Sequence, residues 1–251
     1  MFRKIIAIFV CAFLMSINSG LAQEAENEDE KNKKEVLVFY KTEGFWHESV
    51  PTGRDFIEDL GEEHGFEVTT TKDADDFHSE DMENYDLVIF VNTTGNVFDE
   101  EEQEGFKKYI ENGGNFFGIH AAADTEGDWP WFVELVGGYF DGHPEVQQAD
   151  IEVNMPEHPA VSHLPKVWTR TDEWYNYKNL NPDVEVLLYL DESSYEGGTN
   201  GDEHPIAWFR ETGHGGISIY TGLGHTIQSY IEPMFQEHIL QSILFALGEE
   251  K

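Results

Sequence analysis

The sequence predicts an α/β fold, doubly wound around a mostly parallel sheet. Two observations carry this expectation. Short apolar runs recur along the first half of the chain, at 36–40, 66–71, 85–92 and 115–119. Between them lie segments whose apolar residues repeat at helical spacing. Strands alternating with helices in this way build a parallel sheet with crossover helices on its faces.

Taken in order, residues 36–40 read as a buried strand. Residues 50–64 form a helix with Phe56, Ile57 and Leu60 on one face. Residues 66–71, rich in Thr and Val, make a second strand. The run Y-D-L-V-I-F-V-N at 85–92 makes a third, apolar enough to be central. Asp99 caps the next helix, and Glu102, three residues on, completes a capping box. Phe106, Tyr109 and Ile110 face the sheet, and Gly113-Gly114 end the helix through a left-handed cap. A fourth strand follows at 115–119. The second half is less regular. It holds a short helix at 129–136, strands at 151–154, 184–190, 206–210 and 216–221, and a closing amphipathic helix at 233–247. No repeat or linker interrupts the pattern, so residues 35–249 count as a single domain.

The N-terminus stands apart. Arg3 and Lys4 precede an apolar run over 5–15, and the small residues of S-G-L-A at 19–22 follow. This reads as a signal peptide cleaved near Ala22, which places the protein in a secreted or periplasmic setting. The run is too short to span a bilayer comfortably. Residues 23–34 are charged, lack apolar periodicity and read as a disordered acidic leader. The only cysteine, Cys11, falls within the signal. Its removal excludes disulfides, thiolate metal sites and cysteine nucleophiles.

The formal net charge is −35, and loss of Arg3 and Lys4 with no acid makes the mature chain −37. Such a surface repels nucleic acid and anionic membranes. The acids are spread along the chain, as at 99–104 and 192–203, which suits a solvated face screened by a salty medium. No second run reaches membrane-span length, and the oligomeric state, a homo-oligomer included, stays open.

The chemistry concentrates after strand ends, where the crevice of a doubly wound sheet lies. The run N-F-F-G-I-H-A-A-A-D at 115–124 has the shape of a strand, a sharp elbow and a helix start. Hydrolases place a nucleophile at such an elbow, and here it carries His120. Imidazole both accepts and donates a proton near neutral pH and also binds metals. His120 therefore reads as a general base or a metal ligand. Asp124, one helical turn on, is the expected carboxylate behind its ring. Further clusters are Trp46-His47, Asp141-Gly142-His143, Asp172-Glu173-Trp174-Tyr175 and Gly222-Leu223-Gly224-His225. Asp141 is expected to orient His143. Trp46, Trp174 and Tyr175 border these carboxylates and suit a sugar, which presents an apolar C–H face and a polar rim. Each histidine alone also reads as a surface or satisfied core group, and half of the aromatic residues as core. There is no phosphate-cradling loop, no G-x-S-x-G, no H-E-x-x-H and no dinucleotide fingerprint.

Six blocks then resemble one family, in order and nearly without gaps between residues 35 and 248. They are V-L-V-F-Y-K-T-E-G-F-W-H-E-S, G-I-H-A-A-A-D-T, W-P-W-F-V-E-L-V-G-G-Y-F-D-G-H-P, D-E-W-Y, H-P-I-A-W and Y-T-G-L-G-H-T. The chain is similar to the ThuA-like (trehalose-utilisation) family. That resemblance implies a class I glutamine amidotransferase-like fold, a flavodoxin-like three-layer sandwich, without the catalytic cysteine. It implies a role in catabolism of trehalose, other disaccharides or their 3-keto derivatives. The motif residues it carries over are His47, His120, Asp124, Asp141, His143, Glu173 and His225.

Three readings follow. In the first, the chain is a sugar-acting hydrolase or lyase with His120, Asp124, His143 and Glu173 as catalytic groups. Trp46, His47, Asp141, Trp174, Tyr175 and His225 then bind a small carbohydrate. In the second it is a non-catalytic carbohydrate-binding protein. In the third, histidines drawn from His47, His120 and His143 hold a divalent metal, zinc suiting neutral imidazoles best.

Overall fold

The computed structural model describes residues 33–78 and 80–249. The segments expected to be a signal peptide and, as far as residue 32, an acidic leader lie outside them. From Glu35 onward the chain forms one compact unit.

The elements are β1 (Glu35–Phe39), α1 (Val50–His64), β2 (Glu67–Thr71), β3 (Leu87–Val91), α2 (Glu100–Glu111), β4 (Asn115–Ile119), α3 (Pro130–Val136), β5 (Tyr139–Phe140), β6 (Gln147–Val153), β7 (Val167–Asp172), β8 (Tyr177–Lys178), β9 (Glu185–Leu190), β10 (His204–Glu211), β11 (Ile217–Thr221) and α4 (Pro233–Leu247). Nine strands form one sheet in the order β2-β1-β3-β4-β11-β10-β9-β6-β7. The five from β2 to β11 are mutually parallel. The other four join through antiparallel pairs, so β10 and β6 alone run against the rest. The expected doubly wound, mostly parallel sheet is thus present, with an antiparallel extension on one side.

Local chemistry accounts for the elements. The buried-strand segments of the first half, rich in Val, Ile, Leu and Phe, fill β1, β3 and β4 with nearly unbroken burial, as strands covered on both faces require. The predicted capping box is formed: Asp99 accepts from the amides of Glu101 and Glu102 at 2.8 and 3.0 Å, and Glu102 accepts from the Asp99 amide at 2.6 Å. Gly113 adopts φ +96° just beyond α2, as the left-handed stop requires. An aromatic core of Phe39, Phe77, Phe90, Phe106, Phe116 and Phe132 packs beneath the sheet.

β7 is a strand that the apolar pattern does not predict, and its sequence V-W-T-R-T-D explains why. Its inward positions are Trp168, Arg170 and Asp172, two of them charged, so the usual apolar alternation is hidden. The charges pair with each other, Arg170 Nη2 lying 3.2 Å from Asp172 Oδ2. The short β5–β8 ribbon is likewise absent from the sequence expectation.

Three strands separate β11 from β7 in the sheet. At the usual strand spacing a flat sheet would hold them about 19 Å apart. Yet Asp172, the last residue of β7, accepts a 2.9 Å hydrogen bond from the amide of Gly224, three residues past β11. Three residues of chain reach only about 10 Å. The extension therefore curls back and brings the end of β7 over the ends of the parallel strands.

Among the described residues no helix is long and apolar enough to cross a membrane.

Candidate functional site

Four residues meet at this edge: His47 after β1, His120 after β4, Glu173 after β7 and His225 after β11. All four strands run the same way, so each side chain stands at a carboxyl end, as expected for the crevice. One ligand-type atom from each lies within 4.8 Å of the corresponding atom of the other three. The three imidazoles form a near-equilateral set, with ring centroids 5.1, 5.1 and 5.2 Å apart.

His120 is fully buried and sits at φ +48°. A non-glycine residue in the left-handed region costs energy and persists only where its surroundings impose it. The elbow predicted from sequence is therefore real, although the segment after it is a single tight turn, His120–Asp124, of the 3-10 type. Its Nδ1 donates to the carbonyl of Gly222 at 2.8 Å, which turns Nε2 into the crevice. Tyr220 donates to the backbone carbonyl of His120 at 2.8 Å, and the Tyr175 ring packs on the imidazole at 4.2 Å.

Glu173 is the hub. Its Oε2 lies 3.4 Å from His120 Nε2 and 3.2 Å from His225 Nδ1, while Oε1 lies 3.0 Å from Nδ1 of His143. Burial alone would raise its carboxyl, but the bonds and charges of His120 and His225 outweigh that and hold it well below the usual carboxylate range. Burial works against a charged His225 as well, yet Glu173 raises its imidazolium above the ordinary value. His47 behaves oppositely: desolvation, then repulsion from His120 and His225, push it down to about 3, so it is neutral. Its Nδ1 is buried without a partner, an arrangement that native interiors rarely leave unexplained.

His143 reaches the cluster through Glu173 and is not one of the four converging donors. Its Nδ1 meets two acceptors, Glu173 and the Pro144 carbonyl at 2.9 Å, so this nitrogen carries the proton. Its side chain is 41% exposed.

The loop that carries His225 is fastened by hydrogen bonds to residues of other motifs and to Asn92 and Ser229, which no motif singles out. Gly224 donates to Asp172, and its carbonyl accepts from Ser49 Oγ and Asn92 Nδ2, both at 3.2 Å. Asp172 also accepts from Ser229 at 3.1 Å. Gly224 has φ +110°, and a Cβ there would stand 3.1 Å from Ile119 and from the Tyr230 hydroxyl.

Four expected roles are corrected. Asp124 does not hold the His120 ring. The 3-10 turn has about three residues per turn, so i and i+4 do not share a face, and Asp124 instead accepts from Tyr139 at 3.3 Å. Asp141 pairs with Lys178 at 2.9 Å, and Glu173 takes its expected place beside His143. Trp174 is 0% exposed with its indole donating to the Gln147 carbonyl, so it offers no face to a sugar. Tyr175 is likewise buried and backs the cluster. Trp46 stays open at 49% exposure, joined by Phe45 at 66%, whose ring meets His47 edge-on at 4.9 Å.

Matching arrangements of fold and motif place the chain in a family. The trehalose-utilisation (ThuA) family matches residues 35–246, and the chain belongs to it. Among solved structures it is similar to a ThuA-like protein from Bacteroides uniformis, with 28% identity over 87% of this chain and 93% of that one and a TM-score of 0.75. A ThuA-like protein from Parabacteroides merdae aligns at 18% identity over 86% and 90%, TM-score 0.70. A protein described as part of a GMP synthase, from Thermoplasma acidophilum, aligns at 16% over 87% and 99%, TM-score 0.52. These last two show the fold, which is class I glutamine amidotransferase-like. No protein of curated function matches the chain.

Proposed function

We propose that this chain is a secreted sugar-processing enzyme that acts on disaccharides or their 3-keto derivatives through the histidine cluster. The family supports a carbohydrate-related role. The observation that carries the enzymatic reading is the bond between His143 Nδ1 and Glu173 Oε1, 3.0 Å long, beside three more histidines. A base whose second nitrogen is held by a carboxylate is the arrangement that general-base catalysis needs.

A 3-keto-glycoside suits this base. The ketone acidifies the C2–H bond. Nε2 of His143 takes that proton, the electron pair forms the C1–C2 double bond, and the glycosidic C1–O bond breaks. The departing oxygen takes a proton from solvent, and His143 returns its own to water. Glu173 steadies the charged ring while the proton is held. Phe45 and Trp46 receive the apolar face of the sugar.

The test is turnover of 3-keto-trehalose and of native trehalose by the purified chain. Elimination or hydrolysis is expected, with His143→Ala lowering kcat by about 10²–10⁴. Absence of turnover on oxidised and native disaccharides alike would overturn the reading. The exposed pair Phe45 and Trp46 favours a second reading, a binding-only protein. Sugar binding that survives loss of both His120 and His143, without turnover, would establish it.

A further inference from the structure

We infer that His47, His120, His225 and Glu173 bind one divalent transition-metal ion, of which zinc is the best-fitting. The inference rests on the reading above in that it supplies the sugar site with its cofactor, but its geometry stands alone. His120 Nε2, His225 Nδ1 and Glu173 Oε2 form a triangle with edges of 3.3, 3.4 and 3.2 Å. Zinc bonds to nitrogen and oxygen of about 2.0–2.1 Å in a tetrahedron place neighbouring donors about 3.3–3.4 Å apart. The triangle has the size of one tetrahedral face. His47, within 4.8 Å of all three, stands as the fourth donor.

The hydrogen bonding agrees. The Gly222 carbonyl engages Nδ1 of His120 at 2.8 Å, which leaves Nε2 as the ring nitrogen turned toward Oε2 of Glu173. The Gly222 contact is also the outer hydrogen bond that metal-binding imidazoles usually make. Glu173 is divided in the same way: Oε2 faces the triangle, while Oε1 is bonded to His143, as ligating carboxylates usually are. Nδ1 of His47 is buried without a hydrogen-bond partner. With three imidazoles, one carboxylate and no thiolate, the set suits zinc or a neighbouring first-row ion better than calcium or magnesium. Bound there, the ion would supply Lewis acidity toward a carbonyl or hydroxyl oxygen.

A second group, His78, Asp99 and Glu102, also lies within ligand distance, but its two acids already form the capping box of α2. It serves as the internal control.

The experiment measures metal in the chain made without a histidine tag, stripped with chelator and titrated with zinc chloride. Elemental analysis and calorimetry are expected to give one equivalent. Glu173→Gln and His120→Asn are each expected to weaken zinc binding by about 10-fold or more, a loss that even outer partners of a metal site produce. His78→Ala should keep one equivalent at the wild-type affinity. Zinc should raise the Tm of the wild-type chain more than that of Glu173→Gln at the same zinc concentration, which separates lost binding from lost folding. Fewer than about 0.1 equivalents with no shift in Tm would overturn the inference, given the stability any tight ligand confers. Full sugar turnover by thoroughly stripped protein would overturn it too, while leaving the sugar reading intact. Stoichiometric zinc without turnover of any sugar would uphold the ion and sink the sugar reading instead.

Discussion

Glu173 Oε2 lies 3.2 Å from Nδ1 of His225 although three strands separate the strands that carry them. The contact exists only because the antiparallel extension curls over the parallel half. Its electrostatic consequence is mutual: the carboxyl is held low and the imidazolium of His225 is raised. In metal-free protein, Glu173→Gln removes the stronger raising partner and leaves burial, which lowers His225, opposed only by the charge of Asp172. The His225 imidazole should then titrate at a lower pH than in the wild type, as read by histidine ring NMR. An unchanged titration would mean that the pair does not form in solution.

His120 combines a left-handed backbone with a buried ring. Asparagine tolerates that backbone better than most residues. His120→Asn is therefore expected to keep the thermal midpoint within about 4 °C of wild type, the size of a roughly 1 kcal/mol effect in a domain of this length, while turnover is lost. A large fall in Tm would show that the ring, packed on Tyr175 at 4.2 Å, holds the fold as much as the site.

The parts of this site that the sequence displays are those with local causes. His47, His120 and His225 each follow a strand that the apolar pattern predicts, and Glu173 adjoins an aromatic residue, Trp174, so each could be named singly. The elbow needed only the N-F-F-G-I-H pattern, and the capping box at Asp99 only a three-residue spacing. Their convergence was not legible, because it depends on the curl of the sheet. β7 hid behind its inward charges Arg170 and Asp172, whose pairing is long-range information. The same limit explains Trp174 and Trp46. Both adjoin a motif acid or histidine in the chain, yet one is a fully buried indole of the core and the other faces solvent. Asp124 failed as a partner for His120 because the segment winds as a 3-10 turn, with Ala122 and Ala123 buried in the core.

Asp172 joins the two halves of the site. Buried completely, it accepts from the amides of Glu173 and Gly224, from Ser229 and from Arg170. Asp172→Ala strands the buried Arg170 beside one remaining acidic partner, Glu232 at 3.2 Å. Breaking a buried pair typically costs about 3–5 kcal/mol, and a fall in Tm of about 10 °C follows for this chain length. Denaturant unfolding should show the loss with an unchanged m-value. A variant as stable as the wild type would mean that the curl is held by packing alone.

Phe45 and Trp46 offer apolar faces beside the cluster without entering it. Removing such faces should weaken binding of substrate and transition state alike, which raises KM and spares kcat. Trp46→Ala is expected to raise KM for the disaccharide by about 10-fold, near the 1–1.5 kcal/mol of an aromatic contact. A drop in kcat at constant KM would place the indole in the chemistry instead.

His238 supplies a pH signature that belongs to the fold. It is fully buried in α4, with Nδ1 donating to the Ala160 carbonyl at 2.8 Å and Nε2 accepting from Thr221 Oγ1 at 3.1 Å. Desolvation, the largest influence, brings it down to about 4 despite the Ala160 bond. Between pH 6.5 and about 4 the unfolded chain therefore binds a proton at this position that the folded chain refuses. Stability must fall as pH falls through that window, by up to about 1.4 kcal/mol per pH unit, and the loss is complete below the folded value. His238→Gln retains a neutral side chain able to bond and removes the titration. Its stability is expected to be lower at pH 7 but flatter between about pH 6.5 and 4.5 than that of the wild type, measured by urea unfolding at each pH. Parallel slopes for the two proteins would show that the acid sensitivity arises elsewhere.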